Sequence, residues 1–143
     1  MITYYSANRI LDRNFGGTAY TPPTTLYFGL STTTIQIDGT GATEPSGAAA
    51  YARVALTNDK TNWGNASNGA LTSLAAVTFT ESTGSCGTIT NVFMSDVITG
   101  GNIWWFDVLT PSRTVAGEAS GAAADRYRAA ARRSVRTRSS RRC

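Results

Sequence analysis

The chain has 143 residues, which is enough for one domain with a hydrophobic core of its own. Only 15% of the residues are charged, against ~25% in typical soluble domains, and Thr, Ser, Gly, Ala and Asn take their place. The chain contains no histidine, which removes the commonest general base and the commonest metal ligand. No apolar run reaches the ~18 residues of a membrane span, and residues 1–5 lack the basic character of a signal peptide, so we expect a protein made in a cytoplasm.

The net charge of +4 is unevenly distributed along the chain. Residues 1–125 carry five cationic and nine acidic side chains, whereas residues 126–143 carry eight arginines and no acid. The composition changes to Gly, Ala, Ser and Arg after residue 116, so we predict a folded domain over residues 1–116 and a disordered basic tail over residues 117–143. Such a tail either binds polyanions, nucleic acid among them, without sequence preference or is merely a soluble extension. The candidate contacts are Arg132, Arg133, Arg136 and Arg138.

The first predicted element is a short helix over residues 6–15. Ser6 is a suitable N-cap, and Gly16 begins a Gly-Gly stop signal. A helix this short needs a sheet to pack on. Its packing face would consist of the apolar residues at helical spacing, Ala7, Ile10, Leu11 and Phe15. Arg9 and Arg13, four residues apart, would lie on the solvated side.

Four segments rich in β-branched and aromatic residues, separated by Gly-rich turns, predict the first strands of a sheet. They are residues 24–31, 50–56, 74–80 and 88–95. Residues 32–50 form a long loop between the first two strands, and this loop could include a short edge strand over residues 34–37. Strands at this spacing favour an all-β fold, a β-sandwich or jelly roll with the short helix at its N-terminus.

A fifth strand, over residues 103–109, carries the densest group of aromatic residues in the chain. Because side chains alternate along a strand, Trp104 and Phe106 should face one side and Trp105 the other. Both faces would then carry an aromatic ring, so we expect a central strand, or a strand whose outer face is covered by a partner. These three residues, together with Tyr27 in the first strand, are our candidates for an assembly interface.

Trp63 lies in a polar turn region, residues 58–69. A tryptophan in such a loop either plugs the space beneath the loop or is exposed for contact. In the second case Trp63 and Tyr51 could stack on sugar rings, which makes a carbohydrate-binding module an alternative interpretation.

No arrangement of residues in the sequence points to catalysis. The acids are scattered singly, without the close pair that a glycosidase uses, and the glycines of residues 39–41 lack the lysine of a phosphate-binding loop. Loop acids such as Asp38 and Asp96 are expected to bond to their own backbone rather than to a cation. Cys86 and Cys143 fit neither a disulfide framework nor a zinc motif, so we expect two free thiols. We therefore predict a protein that is not an enzyme and has neither cofactor nor metal.

Several short segments occur in an order that suggests a family. They are NRIL at residues 8–11, TAYTPP at 18–23 leading into LYFGL at 26–30, YARV at 51–54, AVTF at 76–79, GTIT at 87–90, and residues 96–102 before the aromatic strand. In this order they resemble small structural proteins of tailed bacteriophages, a family usually labelled phage tail fibre protein. The resemblance covers about residues 6–116 and rests on turns and core strands, so it implies a virion β-domain and supports a binding site poorly.

The chain departs from this family in two places. The family typically has a tryptophan at the position of Cys86, and the smaller side chain could leave a cavity. The family also continues in apolar strand material where this chain has its Ala/Arg-rich tail. We hypothesise that the final strand is missing and that an unpaired sheet edge is exposed to a partner strand.

The resemblance implies a non-enzymatic virion protein, made in the bacterial host cytoplasm. Its place would be the tail fibre, the tail tip or the capsid surface, where it would act as a decoration protein. Its partners would be copies of itself, by analogy in a trimer, and neighbouring virion proteins, with no membrane partner. A host surface glycan, bound by a carbohydrate-binding module, and a polyanion, bound by the arginine tail, remain the alternative ligands.

Overall fold

The structure is a computed structural model and describes residues 1–45 and 50–115. Its elements are one helix, α1 (Tyr4–Phe15), and four strands, β1 (Thr25–Ser31), β2 (Val54–Thr57), β3 (Gly87–Ser95) and β4 (Ile103–Val115). The strands form one antiparallel sheet in the order β2-β1-β3-β4. The all-β class with a short N-terminal helix is thus confirmed, while the second sheet of a sandwich stays a prediction. None of the helical structure in these two ranges has the length and apolar character that crossing a membrane requires.

The inner strand β3 follows the alternation that its sequence predicts. Ile89, Asn91, Phe93 and Ser95 are almost completely buried, whereas the residues between them are only partly buried. Gly29 on the neighbouring strand β1 lies under the Phe93 ring, and a Cβ at this position would collide with that ring. A strand glycine here therefore lets the largest core side chain approach the backbone closely.

Among the described residues, the hydrophobic core consists of two small clusters. In the first, Phe93 packs with Ile35, Ile103 and Phe106. Ile35 comes from the loop after β1, so residues 34–37 form no edge strand but still contribute to the core. The second cluster contains Cys86, Ile89, Leu30, Leu109 and Val115.

Cys86 is a buried free thiol immediately before β3, packed against Ile89. Its sulfur lies 3.1 Å from the hydroxyl oxygen of Ser82. The small side chain thus occupies a core position, as expected for a buried cysteine. Cys143, together with the tail predicted over residues 117–143, lies outside the described residues.

The strand predicted over residues 74–80 is wrong, because this segment pairs with no neighbour in the sheet. Its alternating pattern is real, since Ala75, Val77 and Phe79 are half-buried and the residues between them are exposed. Phe79 stacks on Tyr51, with 6.3 Å between the ring centroids. An alternating pattern predicts one buried side, but a strand also needs a hydrogen-bonding neighbour.

The helix α1 begins two residues earlier than the sequence predicts, because Thr3 and not Ser6 is its N-cap. The Thr3 hydroxyl oxygen accepts a hydrogen bond from the Ser6 backbone N–H at 3.4 Å and donates one to the Ile103 carbonyl at 2.5 Å. The cap therefore also ties the helix to β4. The predicted end at Phe15 is confirmed, with Gly16 as the C-cap.

The aromatic strand β4 lies at an edge of the described sheet and not at its centre. Its outer side is partly covered by the first residues of the chain. The Thr3 N–H donates to the Trp104 carbonyl at 3.1 Å, and the Phe106 N–H donates to the Met1 carbonyl at 2.9 Å. Residues 1–3 of the same chain thus continue the hydrogen bonding along this edge, and the covering of an outer face by a partner stays a prediction.

The turn between β3 and β4 is held by a buried arginine. The Arg53 guanidinium donates to the Ser95 hydroxyl and to the Val97 and Gly100 carbonyls, at 2.7–2.8 Å. Its remaining nitrogens donate to both carboxylate oxygens of Glu44, and this bidentate pair neutralises the charge. The network fixes the hairpin that carries Asp96.

Candidate functional site

A bulge in β4 determines where Trp104 points. Met94 pairs with Trp105 and Ser95 pairs with Ile103, so β4 has one extra residue between these two pairs. Ile103 is therefore buried together with Phe106, although alternation predicted opposite faces for them. The extra residue, Trp104, turns away from the core, as bulges commonly re-aim one side chain.

The Trp104 ring packs between two tyrosines from the N-terminal part of the chain. Tyr5 on α1 meets it edge to face at a centroid distance of 5.5 Å, and Tyr20 lies at 5.7 Å with a tilt of 32°. These rings line an open cleft of about 360 Å³, together with Arg9, Thr21 and Asp96. The cleft therefore joins α1, the linker that follows it and the β3–β4 turn.

Two opposite charges face this cleft. The Arg9 guanidinium lies over the rings of Tyr5 and Tyr20, at 5.2 and 5.7 Å from their centroids. Within residues 1–45 and 50–115, no carboxylate lies within ion-pair distance of Arg9. Partial burial acts to raise the pKa of Asp96, but hydrogen bonds from the side chain and backbone of Asn102 outweigh it and hold that pKa below its ordinary value. Asp96 is therefore a carboxylate at neutral pH.

Two polar atoms at the cleft lack a regular hydrogen-bond partner among the described residues. They are the Tyr20 hydroxyl and the Trp104 indole nitrogen, and both are buried. The indole N–H adds to the stabilisation of the Asp96 carboxylate, although its geometry falls outside that of a regular hydrogen bond. Burial raises the pKa of Tyr20, so its hydroxyl keeps its proton and remains a donor.

The apolar face of α1 points to solvent, contrary to the sequence prediction. Ile10, Leu11 and Phe15 are 46%, 52% and 85% exposed. Arg9 and Arg13 are exposed, as predicted, but both also contact the N-terminal tyrosines, since Arg9 lies over the rings of Tyr5 and Tyr20 and Arg13 donates to the Tyr20 carbonyl at 2.9 Å. The buried or half-buried residues of α1 are thus Tyr5, Ser6 and Ala7, whereas the larger residues of the predicted apolar face stay exposed.

Comparison with known families identifies the chain. A family described as podophage GP4 fiber I protein gp80 matches residues 1–133. The chain belongs to this family. It is therefore a podophage fibre structural protein and a component of the virion, as the resemblance implied. A search of curated proteins finds no match.

The family match bears on two of the sequence-based expectations. Membership of a fibre family indicates a structural protein, with other virion proteins as its neighbours. The match also reaches residue 133, well beyond the end of the resemblance at residue 116. It thus includes part of the Ala/Arg-rich tail, and with it Arg132 and Arg133. These two residues, like Arg136 and Arg138, lie outside the described residues, so their contact with a polyanion stays a prediction.

The predicted interface residues of this fibre protein occupy different environments. Phe106 is 6% exposed and belongs to the core, which leaves little of its ring for a partner. Trp104 is covered by the two tyrosines of the cleft, and Trp105 pairs with Met94 and bridges Ile2. Tyr27 is half-buried in β1. Their role in assembly stays a prediction.

The predicted glycan-contact residues each have an aromatic neighbour of their own. Trp63 is half-buried and stacks on Phe28, with 6.4 Å between the centroids, as a plug beneath its loop would. Tyr51 stacks on Phe79, and its hydroxyl donates to Glu44 at 2.9 Å. Burial raises the pKa of Tyr51 well above its ordinary value, in keeping with a structural phenol. Glycan contact at these two residues stays a prediction.

The alternation of side chains along β4 does not predict the cleft. The bulge that re-aims Trp104 appears only when β3 and β4 are paired. One feature of the sequence does point to the cleft. Tyr5, Arg9 and Tyr20 all belong to the N-terminal segment, where helical spacing places Tyr5 and Arg9 on the same side. Within residues 1–45 and 50–115, no group of three potential metal ligands comes together.

Proposed function

We propose that the chain is a self-assembling fibre subunit whose copies join through the exposed apolar face of α1. The observation that carries this proposal is the exposure of Leu11 and Phe15, on the side of the helix that faces away from the sheet. Tyr4, about two turns before Leu11 on the same face, is also 56% exposed. Leu11 and Phe15 are neighbours on the helix surface, and together with Tyr4 they form an apolar stripe that the polar Asn8 interrupts.

The occupant of this stripe is a second copy of the same chain. A fibre is built from repeated contacts between subunits, and identical helices present identical faces to one another. A closed symmetric assembly about a common axis would bury the stripe of every copy, with the trimer as one such solution. A single aromatic or leucine side chain contributes about 1.5–3 kcal/mol when its surface is removed from water, so two such residues per copy are sufficient to bias association.

Substitution of the stripe tests this proposal. We expect the full-length chain to sediment as an oligomer and the double variant Leu11→Lys/Phe15→Lys to sediment as a monomer. Lysine is a good helix former, so the variant keeps the helix and loses only the apolar contact. The measurement is analytical ultracentrifugation over a range of concentrations, with circular dichroism as the check on helix content.

The matched control is Leu74→Lys, since Leu74 is a leucine of similar exposure, 62%, that lies outside α1. This variant should sediment as the parent chain does. A parent chain that is monomeric at every concentration, or a double variant that remains as oligomeric as the parent, would contradict the proposal.

A further inference from the structure

A small hairpin over residues 62–74 carries the Asn68-Gly69 step at its tip, which is the one Asn-Gly sequence in the chain. Ser67 and Ala70 exchange two backbone hydrogen bonds of 2.9 Å, so Asn68 and Gly69 are the central residues of a tight turn. Both have positive φ angles, 51° and 71°, as a type I′ turn requires. We infer that Asn68 is a self-modification site, whose side-chain amide is converted to an acid after attack by the Gly69 backbone nitrogen.

The reaction needs no enzyme and no oxidant, only water. The Gly69 nitrogen attacks the side-chain carbonyl carbon of Asn68, a C–N bond forms and closes a cyclic imide, and the C–N bond of the side-chain amide breaks. The proton of the Gly69 N–H leaves with the amide nitrogen as ammonia. Water then opens the imide at either of its carbonyl carbons, which leaves an aspartate or an isoaspartate. Glycine favours the attack because it has no side chain to obstruct its own nitrogen.

The turn leaves both reacting groups accessible. Asn68 and Gly69 are exposed, and a Cβ at Gly69 would meet no atom outside the neighbouring residues within 4 Å. Within residues 1–45 and 50–115, neither the Gly69 N–H nor the Asn68 side-chain amide has a hydrogen-bond partner. A hydrogen-bonded N–H resists the loss of its proton, so the free N–H of Gly69 is the more readily activated kind.

A related step in the same chain, Asp38-Gly39, is held in place at both positions. The Gly39 N–H donates to the Gln36 carbonyl at 2.9 Å, and the Asp38 carboxylate accepts from the backbone N–H and the hydroxyl of Thr40 at 2.9 and 2.7 Å. The attacking nitrogen and the side chain of this step are thus both engaged. The contrast singles out Asn68 by its environment as well as by its sequence.

Formation of isoaspartate would open the hairpin. Isoaspartate routes the main chain through the side-chain carbons, so the turn becomes longer than the paired Ser67–Ala70 hydrogen bonds allow. Trp63 belongs to the same hairpin, where it bridges Ser73, and its ring stacks on Phe28 of β1. The modification therefore loosens the contact between Trp63 and the sheet. An assembled virion makes no new protein, so the modified form accumulates with the age of the particle.

Ageing of the purified full-length protein, followed by peptide mass spectrometry, tests the inference. We expect a mass gain of about 1 Da at Asn68, at a rate that rises with pH because the attacking form of the Gly69 nitrogen is deprotonated. The NMR signal of the Trp63 indole N–H should change in proportion to the converted fraction. The internal control is Asn65, an exposed asparagine of the same hairpin that precedes alanine, and we expect it to convert at least about tenfold more slowly.

The matched variant is Asn68→Gly, which keeps a residue suited to positive φ and deletes the amide. We expect no mass gain at this position and an unchanged Trp63 signal during ageing. The inference would be overturned if Asn68 stays unconverted in the folded protein while the urea-unfolded chain converts, or if Asn65 converts as fast as Asn68. A Trp63 signal that stays unchanged as Asn68 converts would overturn the opening of the hairpin. None of these outcomes depends on the oligomeric state, so failure here is distinguishable from failure of the assembly proposal.

Discussion

Arg53 illustrates how single residues stabilise this small protein. Its side chain is 5% exposed, and its guanidinium bonds both to Glu44 and to carbonyls of the β3–β4 turn. It also lies 5.0 Å from the centroid of the Phe93 ring, so it closes one side of the core. A charge in such a place is tolerated only because every part of it is paired.

Removal of this guanidinium should therefore destabilise the fold. We expect Arg53→Met to lower the free energy of unfolding by about 2–3 kcal/mol, because the turn carbonyls lose their donor and Glu44 loses its partner. The control is Arg113→Met on the exposed part of β4, for which we expect a change within about 0.5 kcal/mol. Denaturant unfolding followed by tryptophan fluorescence measures both values, and equal stabilities for the two variants would refute the structural role.

At the level of elements, the docking of α1 on β4 depends on its first cap. Thr3 is completely buried, and its hydroxyl bonds to a helix N–H and to a β4 carbonyl at the same time. Residues 1–3 also pair with the outer side of β4. The helix is thus anchored through its N-terminus and its polar side, and this mode of attachment leaves the apolar stripe free.

Thr3→Val keeps the shape of this side chain and deletes only the hydroxyl. We expect a loss of about 1–2 kcal/mol in the free energy of unfolding, with faster hydrogen exchange at the Ser6 amide, because both hydrogen bonds of the cap disappear. The control is Thr72→Val at an exposed loop position, which should change stability by less than about 0.5 kcal/mol. An unchanged Ser6 exchange rate in Thr3→Val would show that the cap is dispensable.

At the scale of the whole molecule, the chain combines a thin sheet with a helix that presents an apolar stripe outward. In a monomer, an exposed Phe15 lowers the solubility of the protein. A fibre subunit gains a contact surface. Membership of a podophage fibre family implies contacts with other virion proteins, and a contact through this stripe is our proposal.

Labelling of purified phage particles tests this assignment at the scale of the virion. We expect immunogold particles, directed by an antibody against residues 1–115, to lie on the fibres, because the family consists of fibre proteins. Particles of an unrelated phage serve as the control for background labelling. Gold spread evenly over the head would instead indicate a capsid decoration protein.

The elements of the fold follow from the sequence to different degrees. The helix end at Gly16, the strand β1 and the alternating strand β3 follow from local rules, because capping, hydrophobic period and turn residues agree there. Residues 74–80 satisfy the same alternation but form no strand, since pairing depends on neighbours that are remote in sequence. The position of β4 at a sheet edge is likewise a property of the pairing and not of its composition.

The sequence by itself determined the all-β class, the N-terminal helix and the resemblance to phage fibre proteins, since these depend on local patterns and their order. Tertiary structure alone decided which face of α1 is buried and which way Trp104 points. The first was decided by the Thr3 cap and by Arg9 packing on tyrosines, and the second by one extra residue in the register of β4. The orientation of α1 and the direction of Trp104 both depend on contacts between residues far apart in the chain. The apolar stripe of α1 and the cleft around Trp104 result from these contacts.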